Sequence, residues 1–199
     1  MRLALAALAL LAMLLPASGE PAVPLVANGD FSRPGADGRP PEGWSSFAHE
    51  GRYTVAADPA GGRGGGACVK VEGTAEGAGG RAGVLQRTGT FPAPRRLEVR
   101  ALTRGTEGRR AVVIQFFDAS DLKEIVAVES VPVAGQDADW REVRAEVGIP
   151  RVLKGKPIHV IVLLYLYGTG ACAWDDVSLA PLNTVNLQVK DEAASPLMV

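Results

Sequence analysis

Few side chains in this 199-residue chain are of types that do chemistry, and their spacing limits what they could do. Histidine occurs only as His49 and His159, and no serine stands in a nucleophile-elbow pattern, so a nucleophile–base pair is poorly supplied. Cys68 and Cys172 have neither CxxC spacing nor a histidine nearby, which leaves a metal-binding or reactive thiol pair without support. The glycine spacing of GTGACA, from Gly168, matches a dinucleotide-binding loop, but an alternating stretch follows where such a loop needs a helix to meet the pyrophosphate. GGRGGG, from Gly61, lacks the Lys-Ser/Thr of a phosphate loop and reads as a flexible connection. Asp175 and Asp176 stand side by side among the small and apolar residues of GTGACAWDDVSLAP. Paired carboxylates serve glycoside hydrolysis, yet nothing in the sequence singles out a pair.

The elements that must position these groups are strands. Period-two alternation recurs over residues 52–56, 67–73, 82–91, 95–104, 110–118, 124–131, 140–149, 157–168 and 171–179. The 24 glycines and 14 prolines fall in bursts between these segments, as turns do, and no long amphipathic helix interrupts them. The fold class expected is all-β, a two-sheet antiparallel β-sandwich. Residues 1–19, with Arg2, an apolar run from Leu3 to Leu15, Pro16 and then Ala17-Ser18-Gly19, read as a secretory signal peptide cleaved after Gly19. The expected organisation is therefore a leader over 1–19, a sandwich over 20–181, and a tail or extra edge strand over 182–199. The apolar run is too short to span a bilayer. With 21 Lys and Arg against 22 Asp and Glu and no basic stripe, a nucleic-acid partner is not indicated.

Export places both cysteines in an oxidising compartment, so the expectation is a Cys68–Cys172 disulfide joining neighbouring strands. It would close a loop of roughly 100 residues, worth about 3 to 5 kcal/mol in the chain-entropy model. Alternation puts Val69 and Val71 on one face and Cys68 on the other. It likewise groups Asp175 with Val177 and Leu179, with Cys172 and Trp174 opposite. Asp175 then needs a cation or hydrogen-bond donors to be tolerated inside. Trp44 and Trp140 read as packing residues. The segment HVIVLLYLYG is apolar or aromatic on both faces, Val160, Val162, Leu164 and Leu166 against His159, Ile161, Leu163, Tyr165 and Tyr167. A strand with one wet face does not look like this, so the second face is either a ligand cleft or covered by another segment. By parity Gln115, Phe117 and Arg100 are further candidates for that surface. Flat aromatic faces beside planar polar groups suit a sugar.

Five segments in order resemble the galactose-binding-like jelly rolls, in particular carbohydrate-binding modules for cellulose, xylan and related glucans: VANGDFSRPGADGRPPEGW, RGGGACVKVEG, GVLQ, DADWREVRAEVGIP and GTGACAWDDVSLAP. The resemblance covers roughly residues 25–181. It implies a jelly roll whose first and last strands lie together, and a structural Ca2+ held by Asp30 and by Asp175 or Asp176 with backbone carbonyls. Ser32 stands where the family usually has Glu. It further implies a secreted, non-catalytic protein whose partner is a carbohydrate or glycan. A structural or protein-interaction sandwich in a cell-envelope assembly is the alternative, and a small glycan-active hydrolase a third reading. Exposed Tyr165 and Tyr167 would favour binding, and buried ones the scaffold.

Overall fold

The computed structural model describes residues 24–35, 39–74 and 79–182; the expectations for the leader and for the segment after Leu182 lie outside them. Eleven strands are described: β1 Ser45–His49, β2 Tyr53–Asp58, β3 Cys68–Gly73, β4 Arg81–Arg87, β5 Phe91–Pro92, β6 Arg96–Gly105, β7 Arg109–Asp118, β8 Ala127–Val133, β9 Asp137–Gly148, β10 Pro157–Tyr167 and β11 Gly170–Leu182. They form two antiparallel sheets, β1-β4-β10-β7-β8 with β5 on β10 (sheet A), and β2-β3-β11-β6-β9 (sheet B). This is the expected sandwich. Two strands were not legible: β1, whose SSFAH has one large apolar residue, and the two-residue β5.

Inward side chains of both sheets meet in one core that includes Val84, Ile114, Phe116, Val162 and Leu164 from sheet A and Val69, Val71, Leu97, Val99 and Leu179 from sheet B. Burial of each such side chain contributes about 1.5 to 3 kcal/mol. The opening segment seals one side of it. Leu25 N donates to Leu179 O at 2.7 Å and Val177 N to Gly29 O at 2.8 Å, so the segment runs beside the last strand. Gly29 cannot carry a side chain there, since a Cβ would stand 1.8 Å from the Val177 carbonyl oxygen. Phe31 is fully buried, its ring 5.3 Å from that of Trp44, whose Nε1 donates to Asn28 O. Gln86 of β4 clamps the same segment. Its Oε1 accepts from Ala27 N, and its Nε2 donates to Ala27 O and Gly43 O.

The last strand corrects two expectations. Its register on β6 shifts between Asp175 and Ser178, because one extra residue is inserted, with Asp176 at φ +46°. The bulge resets the alternation, so Cys172 and Trp174 share the core face with Val177 and Leu179. Trp174 is therefore fully buried rather than outward. Its Nε1 lacks an oxygen or nitrogen partner; the Cys172 sulfur, a weak acceptor, lies beside it.

The expected disulfide is not formed; Cys68 and Cys172 are both free and buried. Their strands are neighbours as expected, but Cys172 stands opposite Val71, three residues along β3 from Cys68. That offset is about 10 Å along the strand, beyond the reach of a disulfide, and Cys172 faces the core while Cys68 faces outward. Burial raises both thiols, Cys172 to about 12 and Cys68 to about 11, which makes them inert.

Candidate functional site: the outer face of sheet A

Outside the core, the two sheets present different surfaces. On sheet B the outward side chains pair by charge. Glu98 accepts from Arg100 Nε at 2.6 Å and Arg144 Nε at 2.8 Å, and Arg96 meets Glu146 at 2.7 Å. Burial alone would raise the Glu98 carboxyl, but the two guanidiniums overrule it and hold it below its ordinary value. Arg100 is thus a correction. It takes the side of its strand that alternation predicts, but β6 belongs to sheet B, and the side chain lies on the face away from the tyrosines. Alternation fixes which side of a sheet a residue takes, not which sheet it joins.

On sheet A the outward residues are apolar and aromatic: Ala111, Val113, Phe117, Ile161, Leu163 and Tyr165 form a second cluster, with Phe47, Leu85 and Tyr167 packed on it. Five of the six sequence candidates for ligand binding come together here, Tyr165, Tyr167, His159, Gln115 and Phe117. Antiparallel register explains why, since His159 stands opposite Phe117 and Ile161 opposite Gln115. Tyr165 stacks on Tyr167 with ring centres 5.0 Å apart and 11° between planes, and meets the Phe47 ring edge-on at 4.8 Å. Gly83 lies between these rings, opposite both Phe47 and Tyr165. A Cβ there would stand 3.2 Å from the Phe47 ring and 1.7 Å from the Leu164 carbonyl oxygen. At the other end His159 stacks on Phe117 at 4.6 Å.

Tyr165 retains 7 % exposure, whereas Tyr167 is only partly buried. The two tyrosines thus divide the expected test: Tyr165 is buried, while Tyr167 keeps part of its surface exposed, with Tyr165 stacked on its ring and the Arg109 guanidinium over the ring 5.9 Å from its centre. A hollow of about 220 Å³ adjoins Tyr167, lined also by Arg109, Ala111, Ser130 and Pro132. Its size is below that of a drug-sized pocket and nearer that of one sugar ring. Burial, then the neighbouring Tyr167, raise the Tyr165 hydroxyl, with Arg81 opposing them. Burial, assisted by Arg87, lowers His159, so its ring is neutral near pH 7. Its Nε2 is buried without a hydrogen-bond partner, a polar atom left over on an otherwise apolar face.

Phe47, Arg81, Arg109, Ser130 and Pro132 were missed in the sequence. Phe47 sits in a strand without visible alternation, and Arg81 and Arg109 lie one residue before the strands expected over 82–91 and 110–118, so only the observed register sets them beside Tyr167.

The acids of the closing motif belong to another place. Asp175 is nearly buried on the outward side of sheet B, beneath residues 59–66, not inside with Val177. Its Oδ2 accepts from Arg63 N and its Oδ1 from Asp176 N, each at 2.8 Å. The donors are thus Arg63 of the Gly61–Gly66 loop and the next residue of β11 itself. That loop is no loose connection. Gly62 N donates to Gly66 O, Arg104 donates to Gly61 O, and Gly64 and Gly65 take φ of +71° and +86°. Burial raises the Asp175 carboxyl, its two amide donors oppose this, and Asp176 and Asp30 add repulsion. As a calcium site the donor set does not fit. Both Asp175 oxygens already hold amides, Asp30 Oδ1 accepts from Ser32 N and Oγ, and no metal-holding group of three or more His, Cys, Asp or Glu gathers among the described residues. A hard cation asks for six to eight oxygens.

The architecture is a two-sheet antiparallel β-sandwich. No family model matches the chain, and no curated protein does. Solved structures do. A Clostridium thermocellum xylanase 10B, its CBM22-1 and GH10 modules complexed with xylohexaose, aligns with a TM-score of 0.58 at 14% identity, covering 79% of this chain and 28% of that one. The enzymatically active domain of bacteriophage CBA120 tailspike protein 4 aligns at 0.59 and 14%, covering 80% and 21%. A Stig cyclase from Fischerella sp. TAU, in complex with an indole compound, aligns at 0.57 and 15%, covering 79% and 96%. The chain thus spans somewhat more than a quarter of the first and about a fifth of the second. At these identities the likeness is one of fold, and among the described residues no helix is long and apolar enough to cross a membrane.

Proposed function

We propose that this chain is an exported, non-catalytic carbohydrate-binding protein whose glycan lies on the outer face of sheet A, against Tyr167. The observation that carries the reading is the contrast between the two outer faces. Sheet B has hollows of similar size, about 210 and 230 Å³, but its outward charges pair with one another, while sheet A sets its hollow beside stacked tyrosines and guanidiniums that make no ion pair among the described residues. Aromatic faces bind the apolar faces of pyranose rings, and planar polar groups at the edge read the hydroxyls. A fold shared with part of a xylanase whose CBM22-1 and GH10 modules are complexed with xylohexaose supports the reading, and the opening residues support export. For catalysis the face is poorly equipped. His159 stacks on Phe117 instead of bonding to an acid.

The experiment is retention of the mature chain on immobilised polysaccharides, wild type against Tyr167→Ala. Retention that falls at least tenfold in the variant, with an unchanged melting temperature, is the expected result. No retention on any polysaccharide, or equal retention of both proteins, would sink the site. One observation favours the alternative of a protein-interaction sandwich in the cell envelope: Tyr165 is buried rather than open. In that case Tyr167→Ala should weaken capture of a protein and leave every glycan column indifferent.

A further inference from the structure

We infer that the glycan taken by this face is acidic, a polysaccharide bearing uronate carboxylates; the inference rests on the glycan reading above and specifies its ligand. Tyr167 of β10 has an arginine directly opposite it on each neighbouring strand, Arg81 on β4 and Arg109 on β7. At the spacing of adjacent strands, the two backbones stand about 5 Å to either side of the tyrosine. The guanidinium of Arg109 lies 5.9 Å from the Tyr167 ring centre, and Arg81 is near enough to act on the Tyr165 hydroxyl. A third arginine, Arg87, lies opposite Ile161 and within electrostatic reach of His159. All three are exposed, and none makes an ion pair among the described residues.

The outward strand positions of sheet A hold no Asp or Glu. The nearby carboxylates lie at the margins. Glu50 follows the end of β1 and lines a hollow with His49 and Arg81, and Glu129 is opposite the inward Ile114 on edge strand β8. Sheet B shows what this chain does with arginines when acids are placed to receive them: Glu98 takes two and Glu146 one. Leaving three cations without an ion pair, Arg109 held by its cation–π contact with Tyr167, spares their charge for an anion from outside. A guanidinium fork matches a carboxylate with two parallel hydrogen bonds, and Tyr167 between two such forks suits a flat ring carrying that carboxylate at its edge. A neutral glycan would use the tyrosine and leave the charges idle.

The test is affinity electrophoresis of the mature chain in gels containing polygalacturonate, neutral xylan or dextran sulfate, at about 20 and 300 mM salt. Expected is at least tenfold tighter binding to polygalacturonate than to xylan at low salt, with most of the difference lost at high salt. Arg81→Gln with Arg109→Gln should remove that preference with the melting temperature unchanged, while Arg144→Gln on the opposite face should leave it intact. Equal binding of polygalacturonate and xylan would overturn the acidic assignment and leave the glycan reading standing. Dextran sulfate bound more tightly than polygalacturonate would overturn the carboxylate assignment in favour of general polyanion attraction. No binding to any of the three would overturn the glycan reading itself and this inference with it.

Discussion

The outward side chains of sheet B join charge to charge, Glu98 between Arg100 and Arg144 and Arg96 against Glu146, whereas those of sheet A run aromatic along β10 and cationic around Tyr167. Both sheets obey the same alternation and share one core. The difference is what each does with the half of its residues that the core does not take. Paired charges satisfy one another in the folded protein and ask nothing of a ligand. Stacked rings and unpaired guanidiniums do not.

Removing the floor of the aromatic face should have the largest effect. Tyr165→Ala deletes a ring packed between Phe47 and Tyr167, and by analogy with buried aromatic truncations should cost about 3 kcal/mol, read as a drop in urea midpoint. Trp140 on the face of sheet B, with Arg104 4.9 Å from its ring centre, makes the matched comparison. Trp140→Ala is expected to cost about 1 kcal/mol or less. Equal losses would erase the distinction between the faces.

The next effect separates the faces by pH. His159 is depressed below 6.5, so above that value neither state is protonated and stability is unaffected. As pH falls below 6.5, the unfolded chain takes its proton first, and stability declines. Glu98 is depressed below 4.5; its contribution is complete above 4.5 and is lost as pH falls through its folded value. A melting-temperature series from pH 8 to 3 should therefore show two declines. His159→Gln should remove the upper one and Glu98→Gln the lower, and a series in which neither variant alters its own window would refute the assignment. At neutral pH Glu98→Gln itself should cost about 1 kcal/mol, as surface ion pairs do.

The smallest effects are expected to be nil. With both Asp175 oxygens held by amides, chelation by EDTA should leave the melting temperature where it was; a fall of several degrees would return Asp30 and Asp175 to the role of cation ligands. Reductant should likewise change nothing, since Cys68 and Cys172 are free, and a reductant-induced fall would mean that they pair.

Much of this was legible in the sequence. Alternation found nine strands and placed Gln115, Phe117, His159, Tyr165 and Tyr167 on one surface, because those strands are long and apolar on their inward side. Three things were not legible, each for a physical reason. Sheet membership is a long-range property, so Arg100 was set beside tyrosines it never meets. A bulge has no composition of its own, so Asp176 passed as an ordinary strand residue and the faces of Cys172, Trp174 and Asp175 were inverted. Edge strand β1, with water on one side, needs little hydrophobicity, and Phe47 went unseen with it.

The bulge has one more consequence. With Asp176 removed, Cys172, Trp174, Val177 and Leu179 would fall into a single unbroken alternation, all still facing the core. β11 thus carries its spare residue in a place where chain length can change by one without any core side chain turning to water. A gene encoding this strand could gain or lose that codon while the fold persisted, and only the shape of the sheet's outer surface near Asp175 would record the event.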